Sequence, residues 1–171
     1  MDLQIYESAV AKHYATSKVL SFPLHSFDFY ASFLVKLKMS LTDTVSLTAL
    51  ANKNAWNTKW DFKEKLLDEM IVVVTDAKLQ IVFASKNIVS MNGYEASEVV
   101  GKSPKMFQGE LTDKKTSEDI GIAVRNRLPF EKVIVNYCKD GTVYNCHIKG
   151  YPVFNKKGVL TNYIALERIA A

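Results

Sequence analysis

The stretch that decides the fold is residues 132–152, which read KVIVNYCKDGTVYNCHIKGYP. It contains two runs rich in β-branched and aromatic residues, Lys132–Cys138 and Thr142–Pro152, separated by the turn-forming sequence Lys139-Asp140-Gly141. A third run of the same kind, Val159–Ile169, follows after a second turn-forming sequence. The pattern predicts three consecutive antiparallel strands.

Upstream of these strands the chain predicts a first hairpin and then helices. Met70–Thr75 and Leu79–Ala84 are two further strand-like runs joined by a short polar turn. Short helices are predicted around Lys86–Asn92 and Ala96–Val100, and a longer one from Thr112 to about Arg127. This order predicts an α+β fold, in which a five-stranded antiparallel sheet carries helices on one face.

The first third of the chain predicts further helices. One apolar stripe at helical spacing consists of Phe29, Phe33, Leu37 and Leu41. A second helix is expected over about residues 44–68, with Trp56 and Trp60 four residues apart on it. A weaker pattern predicts an earlier helix over about residues 3–18. Nothing in this region indicates catalytic chemistry.

Composition and charge restrict the class of protein. Hydrophobic residues make up 48% and charged residues 23% of the 171 residues, which is typical of a globular chain. The net charge is +4, and only Arg125, Arg127 and Arg168 carry the guanidinium fork that suits phosphate and base recognition. These features argue against nucleic acid as a partner.

Several functional classes lack their sequence signatures. No apolar run is long enough to span a membrane and the N-terminus does not resemble a signal peptide, so we expect a cytoplasmic protein. Cys138 and Cys146 form no zinc-ligand pattern with histidine, and no metal is expected. We find no catalytic Ser-His-Asp set, Gly-rich phosphate loop or nucleophile elbow, which predicts a protein without enzymatic activity.

Short motifs between residues 70 and 169 occur in a distinctive order. They are Val74-Thr75-Asp76, Ile81–Ser85, Asn92–Glu95, Glu98–Lys102, Phe107-Gln108-Gly109, Asn136–Thr142, Pro152-Val153 and Tyr163-Ile164-Ala165. In this order and spacing the chain resembles a PAS domain, and within that superfamily the light-oxygen-voltage branch. The resemblance implies a sensory or interaction module that holds a small ligand, or none, between sheet and helices. Residues 1–65 lie outside the match, so we expect a helical extension at 1–65 and a PAS domain at 66–171.

Resemblance to the light-oxygen-voltage branch implies a flavin mononucleotide site with a cysteine that forms a photoadduct. At the position of that cysteine this chain has Pro104, so the resemblance excludes adduct formation there. Gln108 and Asn136 match positions that contact flavin in the family. These two matches keep a cysteine-less flavin-binding light or redox sensor as an alternative.

Other flavin-binding positions are changed in this chain. Lys105 replaces a phosphate-binding arginine and loses its bidentate fork, and Gly121 lies near the position of the second one. Cys146 stands where the family has a ring-binding asparagine, and Glu167 stands where it has a glutamine. We therefore expect no tightly bound cofactor.

A set of residues is proposed to line the ligand pocket. It consists of Asn136, Gln108, Cys146, Lys105, Phe107, Tyr144 and Glu167. We expect the pocket to be small or filled by the bulky side chains of Tyr144, Tyr163, Phe83 and Met106. Glu167 is expected to be solvated or paired with a lysine, and burial would raise its pKa.

The hairpin around Gly141 has two alternative registers. A two-residue turn pairs Asn136 with Asn145, whereas a three-residue loop with Gly141 at positive φ pairs Asn136 with Tyr144. Only the second register places Asn136 and Cys146 on the same face of the sheet. The apolar alternation of the strand and the family resemblance both favour it.

The outer face of the predicted sheet should expose apolar side chains, namely Val133, Val135, Tyr137, Ile164 and Leu166. We expect an interaction surface formed by Phe29, Phe33, Leu37, Trp56 and Trp60 to pack against this face, within a monomer or across a two-fold dimer. The sequence thus predicts a non-catalytic PAS-type signalling module that acts through a protein partner or homodimer and can take a small-molecule ligand. A second alternative is a DNA-associated transcriptional regulator that uses the N-terminal helices.

Overall fold

The computed structural model describes residues 25–57, 60–67 and 70–170. Residues 37–171 form one compact unit and residues 1–36 another. The helix expected over residues 3–18 lies outside the described residues. The expected domain boundary between residues 65 and 66 stays a prediction.

Five strands form one antiparallel sheet, as the sequence predicts. The strands are β1 (Ile71–Asp76), β2 (Ile81–Ala84), β3 (Phe130–Tyr137), β4 (Val143–Phe154) and β5 (Leu160–Ile169). Their order across the sheet is β2-β1-β5-β4-β3, so the last strand of the chain lies at the centre. The central position of β5 follows from its pairing with β1 on one side and β4 on the other.

The helices are α1 (His25–Lys53), α2 (Phe62–Leu67), α3 (Ile88–Asn92), α4 (Ala96–Val99) and α5 (Lys114–Arg125), with a 3₁₀ turn at Pro104–Phe107. The start of α5 is fixed by Asp113, whose Oδ2 accepts a hydrogen bond from the Thr116 amide at 2.7 Å. Gly93 ends α3 at φ +76°, a conformation that costs a glycine little. No helix among the described residues is long and apolar enough to cross a membrane.

The N-terminal helices differ from the expectation of one helix ending near Leu41 and a second over residues 44–68. Instead, α1 continues to Lys53, because its later turns face the sheet unit through Leu47 and Asp43. Asp43 is 3% exposed, and its Oδ2 accepts a hydrogen bond from the Lys86 amide at 2.7 Å.

The expected helical position of Trp56 is also wrong. Trp56 forms a β-bridge with Asn155, and the amide of Asn57 donates to the carbonyl of Phe154 at 2.9 Å. These contacts with the β4–β5 turn hold residues 54–57 out of a helix. Trp60 precedes α2 and is not helical either.

The two faces of the sheet are covered by different parts of the chain. On the inner face, α3, α4 and the 3₁₀ turn pack against the sheet, and this core contains Ile71, Val73, Ile81, Ala84, Ile88, Met91, Val99 and Phe107. On the outer face, a set that we call the outer cover packs against Val72, Val74, Val153, Ile164 and Leu166. The outer cover consists of Leu47, Leu50, Trp56, Trp60, Phe62 and Leu66.

The β3–β4 register is the one with the three-residue loop. Asn136 lies opposite Tyr144, and Ile134 lies opposite Cys146. Gly141 adopts φ +87°, and the Cys138 amide donates to the Thr142 carbonyl at 2.7 Å, which closes the loop. The prediction that Asn136 and Cys146 share the inner face is confirmed.

Candidate functional site

A group of polar side chains lies on the inner face of the sheet, and we call it the inner polar cluster. It consists of Asn92, Asn136, Tyr144, Cys146 and Glu167. Asn92 is the last residue of α3, and the other four are held in register by β3, β4 and β5. Asn92 is 1% exposed, Asn136 7%, Cys146 0% and Glu167 6%. Such burial of polar groups is costly unless each finds a partner.

Two atoms of the inner polar cluster have no hydrogen-bond partner. They are the Tyr144 hydroxyl and the Asn92 side-chain nitrogen, both of which are buried. The Tyr144 hydroxyl is directed toward the amides of Asn92 and Asn136, but no hydrogen bond of normal geometry forms. The cluster is therefore polar and incompletely satisfied, which is unusual for a folded interior.

Burial shifts the pKa of every ionisable group in this cluster upward. Burial, with the nearby Cys146 and Glu167 adding to it, raises the pKa of the Tyr144 phenol. Burial and the neighbouring Glu167 raise the pKa of the Cys146 thiol. Burial raises the pKa of Glu167 to about 7, against a smaller opposing effect of the Cys146 thiol. The sulfur of Cys146 lies 3.8 Å from Glu167 Oε2, and the protonated thiol donates this weak hydrogen bond.

Glu167 therefore differs from the expectation of a solvated or lysine-paired carboxyl group. Its side chain faces inward because β5 pairs it with Ile71 on β1 and Ile148 on β4, both of which lie on the inner face. The face that this residue occupies depends on pairing between distant strands.

The other expected pocket residues divide into three groups. Phe107 is 3% exposed and its ring packs edge to face on Tyr94, so it belongs to the inner core. Gln108 Oε1 accepts a hydrogen bond from the Ser117 hydroxyl at 3.2 Å, which joins the 3₁₀ turn to α5. Lys105 is exposed on the 3₁₀ turn and does not line the interior.

Phe83 was expected to fill the inner pocket, but this prediction is wrong, because its side chain lies on the outer face of the sheet. It pairs with Val74 and packs against the outer core, whereas Ile81 pairs with Thr75 and faces inward. The extra residue Val82 between these pairs forms a β-bulge, which reverses the alternation of the strand. Met106 and Tyr144 do pack against the inner core.

Asn92 was not among the expected pocket residues. Its signal in the sequence was its place in the motif before Gly93, which marks the end of a helix. Its side-chain oxygen accepts the Tyr94 amide at 3.1 Å, as an ordinary helix-ending asparagine can do. Whether its side-chain nitrogen finds a hydrogen-bond partner depends on the position of Tyr144. That position is set by β4 and cannot be read from the sequence around Asn92.

The inner polar cluster does not fit a flavin ring in this conformation. A ring system bound between sheet and helices would lie against Asn136, Cys146 and Glu167, and would need free volume beside them. These three side chains are at most 7% exposed, so little open space lies against them. Tyr144 extends from β4 toward Asn92 and Asn136, where a ring edge would need hydrogen-bond partners. The expectation that no cofactor is bound stays a prediction.

The described residues of the chain cover only part of the outer face. Ile164 and Leu166 are buried beneath the outer cover, as expected. By contrast, Val133 on β3 is 50% exposed and Val143 on β4 is 47% exposed. We call the exposed half the open outer patch; its apolar part is Val133, Val135 and Val143.

Charged side chains border the open outer patch. Glu131 Oε1 lies 2.7 Å from His147 Nε2 and 3.0 Å from Lys149 Nζ. Arg168 Nε donates to His147 Nδ1 at 3.3 Å, which assigns the proton of the neutral ring to Nε2. The patch thus has an apolar centre and an ordered rim that carries both signs of charge.

The expected helical interaction surface is only partly buried. Trp56 is 7% exposed, and Trp60 stacks on Phe62 and contacts Tyr151. Phe33 is 53% exposed and Leu37 is partly buried, while the side chain of Phe29 lies outside the described part of the chain. Leu41 is 47% exposed, because it points away from the face of α1 that carries Leu47. Packing of the stripe across a two-fold dimer stays a prediction.

Comparison with known proteins places this fold in a family. Residues 68–168 match the family described as PAS domain. Protein TWIN LOV 1 of Arabidopsis thaliana is 35% identical over 88 residues, which are 51% of this chain and 22% of that protein. A blue-light-activated histidine kinase of Brucella canis is 33% identical over 85 residues, or 50% of this chain and 17% of the kinase. The chain therefore spans roughly a fifth of the length of these curated relatives.

The solved structures agree with the sequence relatives. A light-oxygen-voltage domain studied with a flavin analogue has a TM-score of 0.61 and 25% sequence identity, covering 64% of this chain and 84% of that one. The five-stranded antiparallel sheet with short helices on its inner face is the shared architecture. Since the family match covers more than half of the chain, the chain belongs to the PAS domain family, in which it resembles the light-oxygen-voltage branch.

Proposed function

We propose that the chain is a sensory signalling module that acts by binding a protein partner and has no catalytic step of its own. The observation that carries this proposal is the half-covered outer face. The outer cover buries the β1 and β5 part of that face, whereas Val133 and Val143 of the open outer patch are about half exposed in the described part of the chain. A cytoplasmic location stays a prediction.

The composition of the open outer patch supports a protein as the partner. Exposed valines at its centre and an ordered charged rim reproduce the apolar core and polar rim of protein–protein interfaces. Monomeric soluble proteins rarely expose a contiguous apolar surface of this kind to solvent.

We propose a second copy of the chain as the partner. The rim places the negative Glu131 beside the positive Lys149 and Arg168, so a two-fold arrangement can set opposite charges against each other. The exposed Val133 side chains then lie near the axis, where an isologous interface buries the same patch of both copies.

The test is the mass of the full chain in solution, measured by light scattering across a concentration series. Val133→Glu places a charge at the centre of the patch and should shift the mass from dimer to monomer. The matched control is Val159→Glu, since Val159 is 57% exposed but lies before β5, outside the patch. A wild-type chain that is monomeric throughout, or a dimer that Val133→Glu leaves intact, contradicts the proposed partner.

A flavin-binding sensor is the second candidate function. It is favoured by the position of Asn136 on the inner face and of Gln108 directly after the 3₁₀ turn, where it is bonded to Ser117 of α5. Mass spectrometry of the denatured, freshly purified protein tests it. Stoichiometric flavin mononucleotide would establish this function and would mean that the inner face opens to admit the ring; its absence supports the module without a cofactor.

A further inference from the structure

Glu167 is an acidic residue whose side chain is buried inside the domain. It lies on the central strand β5 and is 6% exposed. Its neighbours across the sheet are Ile71 on β1 and Ile148 on β4, neither of which can pair with a carboxylate. Burial of an ionised carboxyl group in such surroundings carries a large free-energy cost.

No cation balances this carboxyl group among the described residues of the inner face. β4 presents the thiol of Cys146 and the phenol of Tyr144, and β3 presents the amide of Asn136. The buried side chains of α3 and α4 carry no charge. Lys132 also lies on the inner side of β3, but its Nζ is bonded to Asp119 of α5 at 2.8 Å.

The hydrogen bond from Cys146 to Glu167 is weak and favours the ionised form only slightly. The thiol of Cys146 lies 3.8 Å from Oε2 and keeps its proton, since burial raises its pKa. This single soft donor cannot replace the hydration of a carboxylate. The geometry therefore favours the neutral carboxylic acid of Glu167. Ionisation of this group requires a change of structure that brings water or a cation to it.

β5 connects this acid to the opposite face of the sheet. The preceding residue, Leu166, points outward and is buried beneath the outer cover. A displacement of β5 at Glu167 thus acts on the packing of Leu166 within the outer core, to which Trp56 and Phe62 also belong. Trp56 and Trp60, the two tryptophans of the chain, both belong to the outer cover, so tryptophan fluorescence reports on that packing.

We propose that Glu167 is a proton-operated switch, in which loss of its proton to solvent opens the inner face and, through β5, loosens the outer cover. The switch goes beyond the proposed function because it needs neither a ligand nor the partner at the open outer patch. If Glu167 proves not to be a switch, the light-scattering test of the dimer is unaffected. If the chain proves to be monomeric, the proposed switch is unaffected.

The experiment is a tryptophan-fluorescence titration of the full chain from about pH 5 to about pH 9. We expect a reversible red shift of the emission with a midpoint near the pKa of Glu167, about 7. Glu167→Gln should remove the transition and hold the emission in its low-pH form. Glu118→Gln is the matched control, because Glu118 is an exposed glutamate of α5, and it should keep the wild-type transition.

A second variant keeps the proposal testable if Glu167→Gln does not fold. Cys146→Ala removes the thiol that favours the ionised form, so the midpoint should move to higher pH. A wild-type emission that is constant over the range overturns the proposal. So does a transition that neither Glu167→Gln nor Cys146→Ala changes.

Discussion

Two buried polar residues five positions apart on β5 show how differently the two faces of this domain are built. Asn162 faces outward and is 2% exposed, and both ends of its amide are paired. Its Oδ1 accepts from Trp56 Nε1 at 2.9 Å, and its Nδ2 donates to the Thr75 carbonyl at 3.0 Å. Glu167 faces inward at 6% exposure with only a weak thiol bond. The buried amide of Asn162 on the outer face is thus fully paired, whereas the inner face holds Tyr144 and Asn92 atoms without a hydrogen-bond partner.

The difference indicates on which face a change of structure is easier to start. A satisfied buried network specifies one arrangement and resists change, whereas unpaired groups favour any rearrangement that admits water, a ligand or a charge. We therefore expect a structural change to begin at the unpaired groups of the inner face rather than at Asn162.

The largest expected effect comes from removing the outer cover. Deletion of residues 1–65 removes Leu47, Trp56 and Phe62, whose burial is worth roughly 5–9 kcal/mol together. That amount is comparable with the whole stability of a domain, so the truncated protein should aggregate or lose its cooperative melting transition. Thermal melting followed by circular dichroism measures this.

A shorter deletion is the matched control. Removal of residues 1–36 leaves the compact unit of residues 37–171 whole and should preserve the melting transition. If the chain without residues 1–65 stays soluble and melts at the wild-type temperature, the outer cover is not part of the fold.

A smaller effect should distinguish the two faces residue by residue. Asn162→Leu leaves the buried Trp56 indole N–H without its acceptor and should cost about 2 kcal/mol in the free energy of unfolding. Tyr144→Phe removes a hydroxyl that has no partner, so it should change that free energy by less than about 1 kcal/mol or increase it. Urea unfolding measures the free energy of unfolding of both variants. Equal losses in Asn162→Leu and Tyr144→Phe would contradict the contrast between the two faces.

The parts of the fold that the sequence predicted are those set by local chemistry. The strands follow from period-two patterns, and the β3–β4 register follows from Gly141, which supplies the positive φ of a three-residue loop. Cys146 could be placed inside because its alternation with Tyr144 is local to β4.

The parts that were missed depend on contacts between distant segments. The extent of α1 is set by packing on the sheet unit and by the bonds of residues 55–57 to the β4–β5 turn. The face of Phe83 depends on a bulge at Val82, and no turn or glycine marks it. Glu167 is buried without a cation because the residues opposite it on β1 and β4 are Ile71 and Ile148, and this pairing of distant strands cannot be read from the local sequence.

The most direct test of the contrast between the faces is the pH dependence of the unfolding free energy, wild type against Glu167→Gln. The folded pKa of Glu167 is raised from 4.5 to about 7, so the native state binds the proton more tightly than the unfolded state. The stabilisation is complete below about pH 4.5 and is lost as the pH rises to about 7, by about 3 kcal/mol in all. Exposed carboxyl groups with lowered pKa, such as those of Glu98 and Asp113, act with the opposite sign and at lower pH.

Urea unfolding at about pH 5 and about pH 8 should therefore show a loss of about 2 to 3 kcal/mol in the wild-type chain that is absent in Glu167→Gln, since a small part of the stabilisation is already lost at about pH 5. The burial of Asp43 also raises its pKa, and the comparison with the variant removes that contribution. A wild-type free energy with the same pH dependence as the variant would contradict the account, because Glu167 would then be hydrated or paired in the folded protein.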